Sequence, residues 1–230
     1  MLGKYVSAGN KIELHPIRRD TGNEKTHISK INQVLEDDKL EILMPVEGAK
    51  IVLLARNIPY DLVIYTASGL YQCKVKVGER YKSGNVYLQQ LELLTGIKKY
   101  QRREYYRHSC SVPVFSRQLT DEEKTNLVWD DTILGKEGES IDLGGGGVRF
   151  YVRQEYEPDD LILCVLKLEL KDGIKEIQAL GKVLNIKQVP DVKMYEVRVQ
   201  FEKISNAARE QIIQYIFEDE RKRRKKSSGL

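Results

Sequence analysis

Cysteine, histidine and tryptophan are scarce in this 230-residue chain, which has three cysteines, three histidines and one tryptophan. Cys73, Cys110 and Cys164 are an odd number, lie far apart and show no C-x-x-C spacing. This distribution argues against a disulfide scaffold and against a structural zinc site. The histidines are equally scattered, and the acidic residues form no metal-ligand pattern. We therefore expect reduced, buried thiols, no metal ion and no cofactor.

Long apolar runs and a strong overall charge are also missing. No hydrophobic stretch is long enough to cross a bilayer, and the first residues lack the apolar region of a signal peptide. We therefore predict a cytoplasmic protein without membrane insertion.

The net charge is +4, whereas Arg221–Lys226 alone is a run of six basic residues. Because the rest of the chain is nearly neutral, it lacks the broad basic surface of a nucleic-acid-binding protein, and we predict no DNA or RNA partner.

Catalytic motifs are absent as well. No Ser/His/Asp or Cys/His arrangement, P-loop or paired-carboxylate motif can be placed in the sequence. The glycine-rich segment 142–147 lacks the Lys-Ser/Thr ending of a P-loop. These absences predict that the protein is not an enzyme.

Short alternating segments dominate the sequence that is present. In the first half, polar and apolar residues alternate in Lys11–Leu14, Lys39–Ile42 and Tyr71–Val77. Further segments rich in Val, Ile, Leu and aromatic residues follow at 111–115, 147–152, 161–170, 174–186 and 195–201. This pattern predicts a mainly β fold with two small antiparallel β-barrels in tandem and a C-terminal α-helix.

The predicted domains are an N-terminal barrel at 1–95, a linker at 96–102, a second barrel with its helix at 103–220, and a basic tail at 221–230. Ser205 is the predicted N-cap of the helix. The face predicted to pack on the sheet comprises four apolar residues at helical spacing: Ile212, Ile213, Ile216 and Phe217. The polar, acidic segment 119–139, with Trp129, is predicted to be a loop.

Two motifs carry the chemistry of the second barrel. The first is Arg103-Glu104-Tyr105-Tyr106-Arg107, and the second is Asp142-Leu143 followed by Gly144–Gly147. An arginine fork matches phosphate oxygens and the O6/N7 edge of guanine. A run of glycines lets a ligand approach the main chain closely. The two motifs together indicate a site for a guanine nucleotide.

In this order, on segments that both read as β-structure, the motifs resemble those of the PilZ domain, the bacterial receptor module for cyclic di-GMP. That family carries R-x-x-x-R near its start and [D/N]-x-S-x-x-G on a following strand. Arg103 and Arg107 fill the first motif, and Asp142 and Gly147 fill the second. Gly144 stands where the family has Ser, so one hydroxyl contact is missing. The order of β-domain, linker, β-domain and helix extends the resemblance to the YcgR-type flagellar brake proteins.

The resemblance implies a cyclic di-GMP receptor whose domains rearrange on binding. Its partner would be a flagellar motor or switch protein, in the cytoplasm or at the flagellar basal body. The implied contacts are phosphate and guanine binding by Arg103 and Arg107, and acceptance of the guanine N1–H and N2–H groups by Asp142. Gly144–Gly147 would pass under the base, and Gln101 and Arg102 would close over it.

Two alternatives stay open. One is an adaptor with the same fold that no longer binds the nucleotide, because Gly144 replaces Ser. The other is a nucleic-acid-binding β-barrel, which the basic tail and thirteen tyrosines favour. If the backbone at Gly144 suits other residues, Gly144→Ser is expected to restore a hydrogen bond and tighten binding by about 0.5–1.5 kcal/mol.

Overall fold

The computed structural model describes residues 2–17, 25–36, 38–126 and 135–227. It is mostly β, with 56% strand, and contains two six-stranded antiparallel β-barrels and a C-terminal helix. The chain divides into two compact units, Met1–Arg102 and Arg103–Leu230. The predicted fold class, two antiparallel barrels in tandem with a C-terminal helix, is confirmed.

The first unit begins with a single 3-10 turn at Leu2–Lys4. Its strands are β1 (Lys11–Pro16), β2 (His27–Glu36), β3 (Lys39–Leu43), β4 (Val46–Glu47), β5 (Lys50–Ile51), β6 (Tyr60–Thr66), β7 (Gly69–Ser83), β8 (Val86–Leu93) and β9 (Lys98–Tyr100). The barrel order is β1-β2-β3-β8-β7-β6, and β6 closes it by pairing with β1. Strands β4 and β5 form a separate hairpin.

Period-two alternation explains the first barrel. Ile12 and Leu14 of β1 are fully buried, whereas Lys11 is exposed, as expected when successive side chains point to opposite faces of a sheet. Strand β9 lies inside the segment 96–102 and pairs with the start of β7, with Leu70 opposite Tyr100. Part of the segment predicted as a linker therefore extends the first sheet.

The second unit contains the remaining strands. They are β10 (Arg107–Ser109), β11 (Pro113–Gln118), β12 (Lys136–Gly144), β13 (Gly147–Val152), β14 (Leu161–Leu170), β15 (Gly173–Gln188) and β16 (Tyr195–Lys203). The barrel order is β12-β11-β14-β15-β16-β13, closed by pairing of β12 with β13. Strands β10 and β11 pair with successive parts of β12, at 142–144 and 136–139. The short strand β10 is therefore an addition to the closed barrel.

The prediction of a loop over 119–139 is wrong at both ends. A short helix, α1, spans Asp121–Asn126, and β12 begins at Lys136. The Thr120 hydroxyl accepts a hydrogen bond from the Glu123 amide at 3.2 Å, and the Glu123 carboxylate accepts one from the Thr120 amide at 2.9 Å. This reciprocal pair is a capping box, whose T-x-x-E signature was present in the sequence. Trp129 lies outside the described residues.

The C-terminal helix α2 spans Asn206–Ser227. Ser205 caps it as predicted, because its hydroxyl accepts the Ala208 amide at 3.1 Å. The predicted packing face is partly wrong. Ile212, Tyr215 and Ile216 are buried in the second core, whereas Phe217 is 64% exposed. Phe217 follows Ile216 by one position, which is about a quarter turn further round the helix and away from the barrel.

The basic run Arg221–Lys226 continues α2 as exposed helix rather than as a separate coil. Within the described part of the chain, no helix combines the length and apolar character that a membrane crossing requires.

Candidate functional site

The two sequence motifs meet at the turn between β12 and β13. Arg107 of β10 pairs with Gly144 of β12, and Ser109 pairs with Asp142. Across the turn, Gly144 pairs with Gly147. The pairing of β10 with the end of β12 thus brings Arg107, Asp142 and the glycine run to one place, although more than thirty residues separate the motifs in sequence.

The chain between the two motif arginines is bent. It turns at Glu104 and Tyr105 before entering β10 at Arg107. A fully extended segment would place the two arginine side chains roughly 13 Å apart on one face. Arg103 and Arg107 are both exposed. Because of the bend, the distance between these two exposed guanidinium groups, both in the second unit, differs from that in a fully extended segment.

Asp142 is held by an arginine that the sequence analysis missed. Arg149 Nε donates to Asp142 Oδ2 at 2.6 Å, and Arg149 Nη1 donates to Glu196 Oε1 at 3.2 Å. Partial burial opposes the charge of Arg149, but the two carboxylates outweigh it and raise the pKa of its guanidinium. This ion pair fixes one oxygen of Asp142. The tight Gly-Gly turn could have revealed it, because pairing Gly144 with Gly147 places Arg149 opposite Asp142.

At each of the four consecutive glycines, a Cβ atom added to the existing backbone would clash with neighbouring atoms. A Cβ atom at Gly144 would lie 2.6 Å from the Tyr106 carbonyl oxygen, and one at Gly147 would overlap the Val199 carbonyl oxygen. At Gly145 and Gly146, the added atom would lie 2.5 Å and 2.9 Å from ring carbons of Tyr105. None of the four has a left-handed φ. Close packing, rather than backbone conformation, therefore requires glycine here.

The aromatic ring of Tyr105 covers the Gly145–Gly146 turn. The Arg209 guanidinium, in the first turns of α2, lies over the same ring at 4.9 Å from its centroid. Gly145 and Gly146 were predicted to pass under a guanine base. In the described structure, ring atoms of Tyr105 lie nearest to the positions that added Cβ atoms would occupy at these two glycines.

The residues that follow Tyr105 contact the other end of α2. A hydrogen bond to Glu220 raises the pKa of the Tyr106 hydroxyl. His108 Nε2 lies 2.7 Å from Asp219 Oδ2, and His108 is buried. Burial of Asp219 opposes its charge, but His108 and Arg223 outweigh this and lower the pKa of its carboxyl. The motif segment is therefore attached to α2 at Tyr105, Tyr106 and His108.

Gln101 and Arg102 lie in the first unit. Arg102 Nη1 donates to the Tyr65 hydroxyl at 2.6 Å and lies 3.4 Å from Glu13 Oε2. Its guanidinium also lies 5.3 Å from the centroid of the Tyr65 ring. Partial burial opposes the charge of Glu13, but Tyr65, Lys11 and Arg102 outweigh it and lower the pKa of its carboxyl. The predicted ligand contact Arg102 is therefore engaged by the first barrel, while Gln101 is exposed.

The thiols are buried, as predicted. Burial raises the pKa of Cys73 and of Cys164 to about 12, so both stay protonated at neutral pH. In the part of the chain that the structure describes, no group of three or more His, Cys, Asp or Glu residues could hold a metal ion.

The closed six-stranded barrel, its added strand β10 and its C-terminal helix define a PilZ domain. The family model for the PilZ domain matches residues 101–218, and the chain belongs to this family. This match confirms the resemblance that rested on Arg103, Arg107, Asp142 and Gly147. The comparison with curated proteins gave no match.

Solved structures share this architecture. The inhibitor of motility MotI/DgrA from Bacillus subtilis matches with a TM-score of 0.70 at 15% identity, over 95% of this chain and all of that chain. YcgR from Escherichia coli in complex with c-di-GMP matches with a TM-score of 0.45 at 15% identity, over 96% of this chain and 88% of that chain. MrkH from K. pneumonia in complex with c-di-GMP matches with a TM-score of 0.38 at 15% identity, over 93% and 90%. The MotI/DgrA match shows a shared fold that extends over both units.

The close packing at Gly144 predicts that a serine is unfavourable there, which is the opposite of the expectation from the sequence. Because a Cβ atom would meet the Tyr106 carbonyl, Gly144→Ser should displace the main chain before β10. We expect it to lower the free energy of unfolding by about 1–3 kcal/mol, as overpacking does. Gly96→Ser is the matched control, since a Cβ atom at Gly96 meets nothing within 4 Å. Chemical denaturation of both variants checks this, and equal stability of Gly144→Ser and Gly96→Ser would contradict it.

Proposed function

We propose that this protein is a receptor for cyclic di-GMP and acts by binding rather than by catalysis. The observation that carries the proposal is the pairing of Arg107 with Gly144, which places the R-x-x-x-R motif beside Asp142. Membership of the PilZ family supports the same ligand. Cyclic di-GMP has two anionic phosphates and two guanines, so its binding requires cations and acceptors that read guanine donors.

The proposed roles follow from the chemistry of each side chain. Arg103 and Arg107 supply bidentate donors to phosphate oxygens or to the guanine O6/N7 edge, and both can stack on a base. Asp142 accepts from guanine N1–H and N2–H, donors that adenine lacks. The ion pair with Arg149 holds the Asp142 carboxylate in a fixed position while one oxygen is engaged. Gly144 and Gly147 would act through the turn that they allow, because each leaves room for a neighbouring carbonyl group, that of Tyr106 and that of Val199.

Arg102 and Gln101 complete the proposed ligand contacts. In the described structure, Arg102 donates to Tyr65 and lies beside Glu13. To bind the nucleotide, Arg102 would exchange these contacts for the ligand. Such an exchange gives ligand binding a direct effect on the first barrel, and it supports the proposal that the arrangement of the two units changes on binding.

We further propose that this change regulates flagellar motility through a motor or switch protein. Support comes from the shared fold with MotI/DgrA, whose name describes an inhibitor of motility, over both units. Cyclic di-GMP should alter the small-angle X-ray scattering profile and promote binding to purified flagellar motor or switch proteins. Arg102→Ala should reduce the scattering change more than it reduces affinity. An identical profile with and without ligand would contradict the rearrangement, and ligand-independent motor binding would indicate an adaptor.

The two motif arginines provide the main test of the ligand. Arg103→Ala and Arg107→Ala should each weaken cyclic di-GMP binding by about 2–4 kcal/mol, because each removes charge-assisted hydrogen bonds to the ligand. Isothermal titration of the full chain measures this, with GTP as the ligand control. Arg221→Ala, on the exposed end of α2, is the matched variant and should bind like wild type. Wild-type affinity in both motif variants would refute the assignment.

Asp142 provides a test of base selectivity. Asp142→Ala should lose about 1–3 kcal/mol of the preference for cyclic di-GMP over cyclic di-AMP, since it removes the acceptor that reads guanine. Glu196→Gln keeps Asp142 and changes the outer carboxylate that Arg149 shares with Arg198, so its selectivity should stay close to wild type. Competitive titrations with both dinucleotides measure the ratio. An equal loss of affinity for the two ligands in Asp142→Ala would rule out this role.

A further inference from the structure

Tyr105 occupies the middle position of the R-x-x-x-R motif, two residues from each arginine. Its ring is partly buried. The three nearest atoms to a Cβ added at Gly145, and likewise at Gly146, all belong to this ring. The glycine turn is thus shaped to receive the ring of Tyr105, and this packing accounts for two glycines that the family motif leaves unspecified.

A second contact holds the same ring. Arg209 places its guanidinium 4.9 Å from the ring centroid, at cation–π distance. Arg209 lies near the start of α2, where Ser205 caps the helix, so its main chain is fixed by the helix. Tyr105 is therefore held by the main chain of the β12–β13 turn and by a side chain of α2.

Different parts of the structure position the main chain of the two motif arginines. Arg107 is the first residue of β10, and its main chain is paired with Gly144. Arg103 precedes the bend and belongs to no strand. Tyr105 lies between Arg103 and β10, so its ring holds the bend that places Arg103. Loss of the ring should affect Arg103 far more than Arg107.

We infer that Tyr105 and Arg209 are positioning residues for nucleotide binding, which hold the bend of the motif so that Arg103 faces the ligand beside Arg107. This inference rests on the proposed cyclic di-GMP site. Its physical basis is preorganisation, since a segment already held in its bound conformation avoids the cost of being ordered when the ligand binds.

Titration of the full chain with cyclic di-GMP tests the inference. Tyr105→Ala should weaken binding about fivefold to tenfold, the size expected for ordering one segment. Tyr105→Phe, which keeps the ring, should stay within about twofold of wild type. Arg209→Ala should give a smaller loss in the same direction. Tyr87→Ala is the matched control, because Tyr87 is 44% exposed on β8 of the first unit and also carries a cation–π contact, from Lys82 at 5.3 Å.

Double variants separate positioning from a general loss of stability. In an Arg103→Ala background, Tyr105→Ala should cause little further loss, since the side chain that it positions is gone. In an Arg107→Ala background, it should cause the full fivefold to tenfold loss. Equal losses in both backgrounds, or wild-type affinity in Tyr105→Ala alone, would overturn the inference.

Gly145→Ala provides the reciprocal test from the other side of the contact. In the wild-type background the added methyl group meets the Tyr105 ring, and binding should weaken. In the Tyr105→Ala background the nearest obstacles are absent, so the same substitution should have no further effect. An undiminished loss in that background would contradict the packing role.

Hydrogen exchange of the ligand-free protein distinguishes failure of the inference from failure of the proposed function. Tyr105→Ala should speed exchange at residues 103–106 while residues 107–109 of β10 keep their protection. Unchanged exchange at 103–106 overturns the positioning role whatever the titrations show. If the wild-type protein binds no cyclic di-GMP, the proposed function fails and the role in binding fails with it, while the exchange result alone still decides whether Tyr105 holds the bend.

Discussion

The close packing around the four glycines is the constraint on which the rest of the site depends. Different neighbours exclude a side chain along the run: the Tyr106 carbonyl at Gly144, the Tyr105 ring at Gly145 and Gly146, and the Val199 carbonyl at Gly147. The turn therefore has to accommodate β10, the bent motif segment and β16 at once. The absence of the family's serine at position 144 has the same origin, because the main chain before β10 passes within the space that a side chain would need.

Helix α2 extends from this site to its exposed basic end, Arg221–Lys226. Arg209 lies over Tyr105, Glu220 binds the Tyr106 hydroxyl, and Asp219 binds buried His108. Beyond these contacts, the helix continues as an exposed basic segment. Under the proposed function, a ligand that binds the motif would therefore act on residues that touch α2 at both ends. If the proposed function holds, this arrangement would let the second unit present the nucleotide state to an acidic partner through the basic end of α2.

Much of the fold followed from local patterns, because alternation in segments such as Lys11–Leu14 directly determines which side chains enter a barrel. The capping box at Thr120 and Glu123 was also present in the sequence and could have replaced the predicted loop. Two features depended on tertiary packing. Phe217, predicted on the packing face, is exposed, whereas Tyr215 is buried, because polarity alone does not decide which helical face meets the barrel. The Tyr105–Arg209 contact joins segments a hundred residues apart, so spacing along the chain gives no sign of it.

The central claim is that the R-x-x-x-R segment and the glycine turn form one nucleotide site. The most direct measurement is a titration of isotope-labelled protein with cyclic di-GMP, followed by NMR of backbone amides and arginine side chains. The account predicts that saturable shifts concentrate at residues 103–107 and 142–147, and at the arginine side chains of the motif. Shifts confined to other parts of the chain, or an unchanged spectrum at saturating ligand, would contradict it.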